Sequence, residues 1–215
     1  MDAVSAEQFL KDQLPLAARA LIPTTLRTAY EAVRLIVKDE PILNVPSAYD
    51  NRGRLITWAV DRGFEILLQT QRWPFEHRWS SFAQPTGRYL QVRLGHSTLT
   101  ISQVANPKHQ PRNVIFRENG RLNNAPFFNL PEFDDTREVH GLPHFILVHG
   151  HQDLNFAHVG VPHSQHHRDW LYKTPNLMKL PHVVESDLPP AEETDFTAAL
   201  ELKDQIDKWR RDNDA

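Results

Sequence analysis

Apolar residues recur every three or four positions in the first third of the chain, a spacing typical of amphipathic helices. The clearest stripe predicts a helix that begins after Pro23, with Thr24 or Thr25 as its N-cap, and ends before Pro41. Its apolar positions are Leu26, Ala29, Tyr30, Val33, Ile36 and Val37. Two more helices are predicted, one from Ser5 to a break at Pro15 and one over 50–71.

Beyond Pro74 the pattern changes to alternating apolar and polar residues with many aromatic and β-branched side chains, which favours strands. Segments 89–94 and 98–104 flank a short loop that contains Gly95, as in a β-hairpin. Further strands are predicted at 113–116, 144–149 and 155–161.

A last helical stripe follows Thr194 or Asp195, either of which suits an N-cap. Its members are Phe196, Ala199, Leu200, Ile206 and Trp209. We therefore predict an α+β protein with a mainly antiparallel sheet in the middle. Its parts are a helical segment over 1–73, a mainly β segment over 74–184 that packs with it as one domain, and an acidic linker with a C-terminal helix over 185–215.

The amino-acid composition indicates which broad class of protein this is. The 215 residues are 40% hydrophobic with a mean hydropathy of −0.52, and cysteine is absent. We expect a soluble globular protein of the cytoplasm, without disulfides, iron–sulfur clusters or thiolate zinc sites. The first ten residues carry Asp2 and Glu7 but no basic residue, unlike a secretory signal. No apolar run approaches the roughly 20 residues that span a bilayer, so we expect no membrane partner.

Charge is unevenly distributed along the chain, although the net charge is only −3. Residues 1–71 carry eight basic and nine acidic side chains, and residues 72–121 carry eight and two. Residues 122–215 carry eight basic and sixteen acidic side chains. A basic middle segment is therefore followed by an acidic one, and the two either neutralise each other in the fold or face different partners.

The basic segment mixes arginine and lysine with aromatic residues. Guanidinium groups pair with phosphates, and aromatic faces stack on unpaired bases. Our leading functional hypothesis is a nucleic-acid-associated accessory or regulatory protein that binds phosphate through this β-rich segment. The predicted contact residues are Arg88, Arg93, Lys108, Arg112 and Arg117.

Histidine is the second local signal, since nine of the twelve histidines fall between His140 and His182. In an extended chain His149, His151 and Asp153 lie on one face, and in a helix over 163–172 His163 and His167 share a face. Imidazole and carboxylate ligands suit zinc, iron or manganese. These five residues predict a divalent-metal site, and the second hypothesis is a metal-dependent hydrolase.

The run His149-Gly150-His151-Gln152-Asp153 resembles the His-x-His-x-Asp part of the motif of metallo-β-lactamase-fold hydrolases. The resemblance covers five residues. That family has a histidine directly after the aspartate, where this chain has Leu154, so the family's fold and activity are not carried over.

A third hypothesis is a protein-interaction module without catalysis, for example in a toxin–antitoxin or phage-defence system. The polarised charge and the C-terminal stripe both suit a protein partner. The chain lacks a Gly-x-Ser-x-Gly elbow and a glycine-rich phosphate loop, which fits a chain without serine-hydrolase or nucleotide-triphosphatase chemistry.

Overall fold

The chain folds as helices packed against a six-stranded sheet in a computed structural model that describes residues 3–82, 87–112, 114–124, 141–166, 168–179 and 196–213. Its helices are α1 (Ala3–Gln13), α2 (Leu16–Asp39), α3 (Pro46–Gln69), α4 (Ile115–Leu122) and α5 (Phe196–Asn213). Its strands are β1 (Glu76–Ser81), β2 (Arg88–Arg93), β3 (Thr98–Val104), β4 (His144–Gly150), β5 (Ala157–Pro162) and β6 (Trp170–Lys173). Short 3₁₀ turns lie at Pro41–Asn44 and Leu177–Lys179. The predicted α+β class is confirmed.

The second helix begins earlier than the sequence pattern predicts. Pro15 does separate α1 from α2, but α2 starts at Leu16 and runs through Pro23 instead of beginning after it. Proline in a helix interior removes one backbone hydrogen bond. The buried side chains of Ile22 and Leu26 on either side offset that loss, so tertiary packing overrides the local break.

The strands follow one another across the sheet in chain order. Four of the five strand pairs are antiparallel, in line with the prediction, whereas β3 and β4 are parallel. A parallel pair needs a long crossover, and the connection between β3 and β4 contains α4.

The two faces of the sheet have different coverings. The helix face carries the alternating apolar residues of the central strands, such as Leu90, Leu99, Leu147 and Val159, which share one core with α1, α2 and α3. The opposite face, on which α4 lies, carries a smaller cluster of Val104, Ile146, Val148 and Phe156.

One predicted element is wrong. Residues 114–116 of the predicted strand over 113–116 do not form a strand, because Ile115 and Phe116 begin α4 behind the extended residue Val114. The helix on which a shared face of His163 and His167 depends is also absent, because the described residues of 163–172 form a turn and then enter β6 at Trp170. Both segments are short, so contacts with the rest of the protein decide their conformation.

The last helix packs on the body of the protein. Ala199 and Leu202 of α5 are buried against α2 and α3, and Lys203 forms an ion pair with Asp39. Leu200, which the sequence places in the apolar stripe, is 40% exposed. The predicted linker over 185–193 and the N-cap candidates Thr194 and Asp195 lie outside the described residues. Among the helices that are described, none combines the length and apolarity needed to cross a membrane.

Candidate phosphate-binding surface

The short helix α4 fixes Arg117 against the sheet. Arg117 donates from Nη2 to Ser102 Oγ on β3 over 2.7 Å and from Nη1 to the carbonyl oxygen of Arg112 over 2.8 Å. The backbone N–H groups of Arg117 and Glu118 both donate to the carbonyl of Val114, which closes the first turn of the helix. Ser102 therefore anchors α4 over the middle of the sheet.

Arg117 is a mostly buried cation without a carboxylate partner in the described part of the chain. Burial lowers its pKa to about 10, and its Nε atom has no hydrogen-bond acceptor among the described residues. Taking a cation out of water is costly unless a counter-charge and hydrogen bonds replace the lost hydration. Within the described residues no carboxylate neutralises this guanidinium, and a bound anion would do so.

Arg121 lies one turn further along α4 and is also buried. It donates from Nη1 to the carbonyl oxygen of Ser164, and its Nη2 lies 3.8 Å from Glu118 Oε1. Its Nε atom, like that of Arg117, has no acceptor. The guanidinium groups of Arg117 and Arg121 thus place two positive charges beneath α4. The carboxylate of Glu118 lies near the second of them.

More cationic side chains lie near Arg117 and Arg121. Gln110 donates to the carbonyl oxygen of Asp169, and Lys173 donates from Nζ to that of Pro107 over 2.5 Å. These contacts join the segment after β3 to the segment around β6. Burial and the nearby charge of Lys108 lower the pKa of Lys173. We call this region the basic surface; its cations are Lys108, Arg112, Arg117, Arg121 and Lys173, together with Arg168, which directly precedes the Asp169 that Gln110 contacts.

A group of aromatic rings borders the basic surface. The rings of Tyr89 and Phe116 are stacked with centroids 4.1 Å apart, and the ring of Phe82 stacks on Tyr89 at 5.2 Å. The Arg117 guanidinium carbon lies 4.9 Å from the centroid of Phe116. Cations and aromatic rings are therefore adjacent, as nucleic-acid surfaces require.

The structure brings together three of the five predicted phosphate contacts: Lys108, Arg112 and Arg117. Arg93 lies on the same face but pairs with Thr98, four residues from Ser102, which is about 13 Å along a strand. Arg88 shares the alternation of Leu90 and lies on the opposite face.

Three cations of the basic surface were not among the predicted contacts: Arg121, Arg168 and Lys173. Arg168 and Lys173 belong to the acidic last segment of the sequence, so the net charge of that segment does not indicate a basic surface there. The sequence indicates their position only locally, because Arg168 and Lys173 flank the apolar residues of β6.

The predicted metal ligands separate where β4 ends. His149 alternates with Leu147, so its ring faces α2, where Nδ1 lies 2.8 Å from the Tyr30 hydroxyl. Burial lowers the pKa of His149 to about 3. Beyond Gly150 the chain turns, with a left-handed φ of 64° at Gln152, and is no longer extended. His151 has its own partner: its Nδ1 lies 2.9 Å from the Oε1 of Gln103, which pairs with His149 across β3 and β4.

The other half of the predicted metal site lies far away. His149 pairs with Ala157 on β5, and His163 follows six residues later, about 20 Å along the strand direction. His163 accepts from the backbone N–H of Gln165 and of His166 at Nδ1, while His167 lies outside the described residues. Asp153 is exposed in the turn after β4. No group of three or more potential metal ligands occurs within the described ranges.

Comparison with known proteins gives no family for this chain. No protein-family model matches it. Neither a curated protein nor a solved structure matches it.

Proposed function

We propose that the protein binds single-stranded nucleic acid through the basic surface, as an accessory or regulatory factor. The observation that carries the proposal is Arg117, a mostly buried guanidinium whose Nε atom has no acceptor and which has no carboxylate partner among the described residues. A phosphate bound beside this guanidinium supplies a counter-charge.

The surroundings of Arg117 favour a chain of phosphates over one isolated phosphate. Lys108, Arg112 and Arg168 are exposed, and Lys173 is partly exposed, so four further cations can contact successive phosphates. The stacked rings of Tyr89 and Phe116 lie beside these cations and give the surface a half-buried aromatic border. We place this activity in the cytoplasm, because a chain without cysteine needs no oxidising compartment.

Fluorescence anisotropy with labelled single-stranded DNA, single-stranded RNA and duplex probes tests this function. We expect tighter binding to single strands than to duplex and a strong salt dependence. Each phosphate contact contributes a slope of roughly 0.7 in log Kd against log salt, so four contacts give roughly 3.

The matched variants remove two charges each. Arg112→Gln combined with Arg168→Gln should weaken binding at least tenfold and lower the salt slope. Arg54→Gln combined with Arg72→Gln removes two exposed arginines outside the basic surface and should leave binding unchanged. Equal weakening by both double variants, or no binding to any probe at 50 mM salt, would refute the proposal.

The same mixtures of protein and probe also test the competing hypothesis of a metal-dependent hydrolase. After incubation with Mg²⁺, Mn²⁺ or Zn²⁺, a denaturing gel should show probes of unchanged length. Shortening that requires metal would instead support a metal-dependent hydrolase.

A further inference from the structure

A cleft of about 550 Å³ opens on the helix face, away from the basic surface. Its walls are α2, α3, the turn between β4 and β5 and the 3₁₀ turn at Leu177–Lys179. Sites for small molecules in proteins are clefts of roughly 300–1,000 Å³, so this one has the size of a ligand site.

The lining of the cleft is predominantly cationic. Four basic side chains line it together with the carboxylates of Glu31 and Asp153. Those four are Arg27, Arg34, Arg52 and Lys179. Arg34 binds Glu31 through two hydrogen bonds of 2.8 and 2.6 Å, and this contact lowers the pKa of Glu31. The four basic and two acidic lining residues give the cleft a formal charge of +2, an excess of two positive charges.

The walls of the cleft are held in place by hydrogen bonds. The Tyr30 hydroxyl of α2 donates to the carbonyl oxygen of Gly150, which fixes the start of the turn that carries Asp153. Asn176 Oδ1 accepts from the backbone N–H of Ala157 over 3.0 Å and from that of Met178 over 3.1 Å. Lys179, the next residue, is thereby fixed relative to β5.

One residue of the cleft wall has an unusual backbone conformation. Gln152 adopts a left-handed φ of 64°, a conformation that is unfavourable for a residue other than glycine. Such conformations persist where the surrounding structure holds them, and they cluster at ligand sites. At this position the conformation turns the chain so that Gln152 and Asp153 both line the cleft.

We propose that this cleft binds a small phosphorylated compound that also carries hydroxyl groups, such as a sugar phosphate or a nucleoside phosphate. Two negative charges of a phosphomonoester match the excess of two positive charges. Arg52 and Lys179 contact the phosphate, and Asp153 accepts a hydrogen bond from a hydroxyl group of the same ligand. The inference is independent of the proposed function, because its residues lie on the other face of the sheet.

Isothermal titration calorimetry with the full chain tests the cleft. The probes are inorganic phosphate, ribose 5-phosphate, AMP, ADP and unphosphorylated adenosine. We expect binding of at least one phosphorylated organic probe, at least tenfold weaker binding of inorganic phosphate, and none of adenosine. Ribose 5-phosphate and AMP distinguish a sugar phosphate from a nucleotide as the preferred source of the same chemistry.

Matched variants assign the binding to these residues. Arg52→Gln and Lys179→Gln should each weaken binding at least tenfold, and Asp153→Asn should reduce the preference for ribose 5-phosphate over inorganic phosphate. Arg54→Gln, on the same helix but outside the cleft, should leave the affinity unchanged. Urea denaturation verifies that each variant is folded.

Two results would overturn the inference: no heat of binding with any phosphorylated probe, or binding that Arg52→Gln and Lys179→Gln leave intact. Lys179→Gln should also bind oligonucleotides like the unaltered chain. A loss of ligand binding with intact oligonucleotide binding therefore separates the cleft from the basic surface.

Discussion

The Tyr30 hydroxyl lies 2.8 Å from His149 Nδ1, and this contact joins α2 to the end of β4 across 119 residues of sequence. The same hydroxyl donates to the carbonyl oxygen of Gly150. A tautomer of His149 with hydrogen on Nδ1 donates to the Tyr30 oxygen and so satisfies all three groups. Burial raises the pKa of Tyr30, so the phenol stays protonated and able to donate.

Removal of this hydroxyl should destabilise the protein. Tyr30→Phe leaves the imidazole of His149 and the carbonyl of Gly150 without their shared partner, at a cost of about 1–2 kcal/mol in the free energy of unfolding. Urea denaturation measures the change. Tyr49→Phe removes a hydroxyl from a ring that is 56% exposed, and we expect no change there. Equal effects of the two variants would contradict the role assigned to Tyr30.

Buried neutral histidines should make stability depend on pH. Burial lowers the pKa of His149 and of His144 to about 3, whereas an unfolded histidine titrates near 6.5. Between those values the unfolded state binds protons that the native state excludes. The free energy of unfolding therefore falls as pH drops below about 6.5. Asp61 acts in the opposite sense, because burial and the charge of Glu65 raise its pKa to about 7.

A variant separates the histidine contribution from that of Asp61. His149→Asn keeps a polar atom near the position of Nδ1 but cannot be protonated. Between pH 5 and 6 its free energy of unfolding should change with pH less steeply than that of the unaltered protein, by roughly 1 kcal/mol per pH unit. Urea titrations at several pH values give both slopes, and identical slopes would show that His149 is not a buried neutral group.

Gly120 of α4 should resist substitution by alanine. A Cβ atom at this position would overlap the buried ring of His144, so Gly120→Ala must displace α4 from the sheet. Overpacking of this kind costs about 1–3 kcal/mol and outweighs the gain in helix propensity. Asn119→Ala, on the exposed side of the same helix, is the control and should not destabilise the protein. Thermal unfolding compares the two, and a stabilising Gly120→Ala would disprove the close contact.

Arg117 should contribute more to binding than to stability. Arg117→Met keeps much of the side-chain volume and removes a buried cation without a carboxylate partner in the described residues. We expect the free energy of unfolding to stay within about 1 kcal/mol, because the desolvation cost disappears together with the hydrogen bond to Ser102. Oligonucleotide affinity should fall at least fivefold in the anisotropy assay. Unchanged affinity would remove the main support for the proposed function.

The C-terminal helix should stabilise the body of the protein. Leu202 is 3% exposed in the core shared with α2 and α3, so Leu202→Ala should lower the free energy of unfolding by about 2–4 kcal/mol. Leu200→Ala, on the exposed side of α5, should cost far less. Equal costs in urea denaturation would indicate that α5 does not pack as described.

Local periodicity is sufficient to predict several elements of this fold. The apolar stripe from Leu26 to Val37, the hairpin around Gly95 and the alternation in β4 each depend on neighbours within a few residues, and each is present in the structure. The α+β class follows from those elements. The local signal failed where contacts from outside the segment prevail, as at Pro23 inside α2 and at Ile115, where a predicted strand is the start of α4.

Only the tertiary structure decided which side chains share a site. The contact of Lys173 with the Pro107 carbonyl places it beside Lys108, although one lysine belongs to the acidic part of the chain and the other to the basic part. The length of β4 and β5 separates His149 from His163, although the sequence groups both in one histidine-rich stretch. Local spacing determines the conformation of a segment, whereas proximity between segments depends on strand register and on which face of the sheet each side chain occupies.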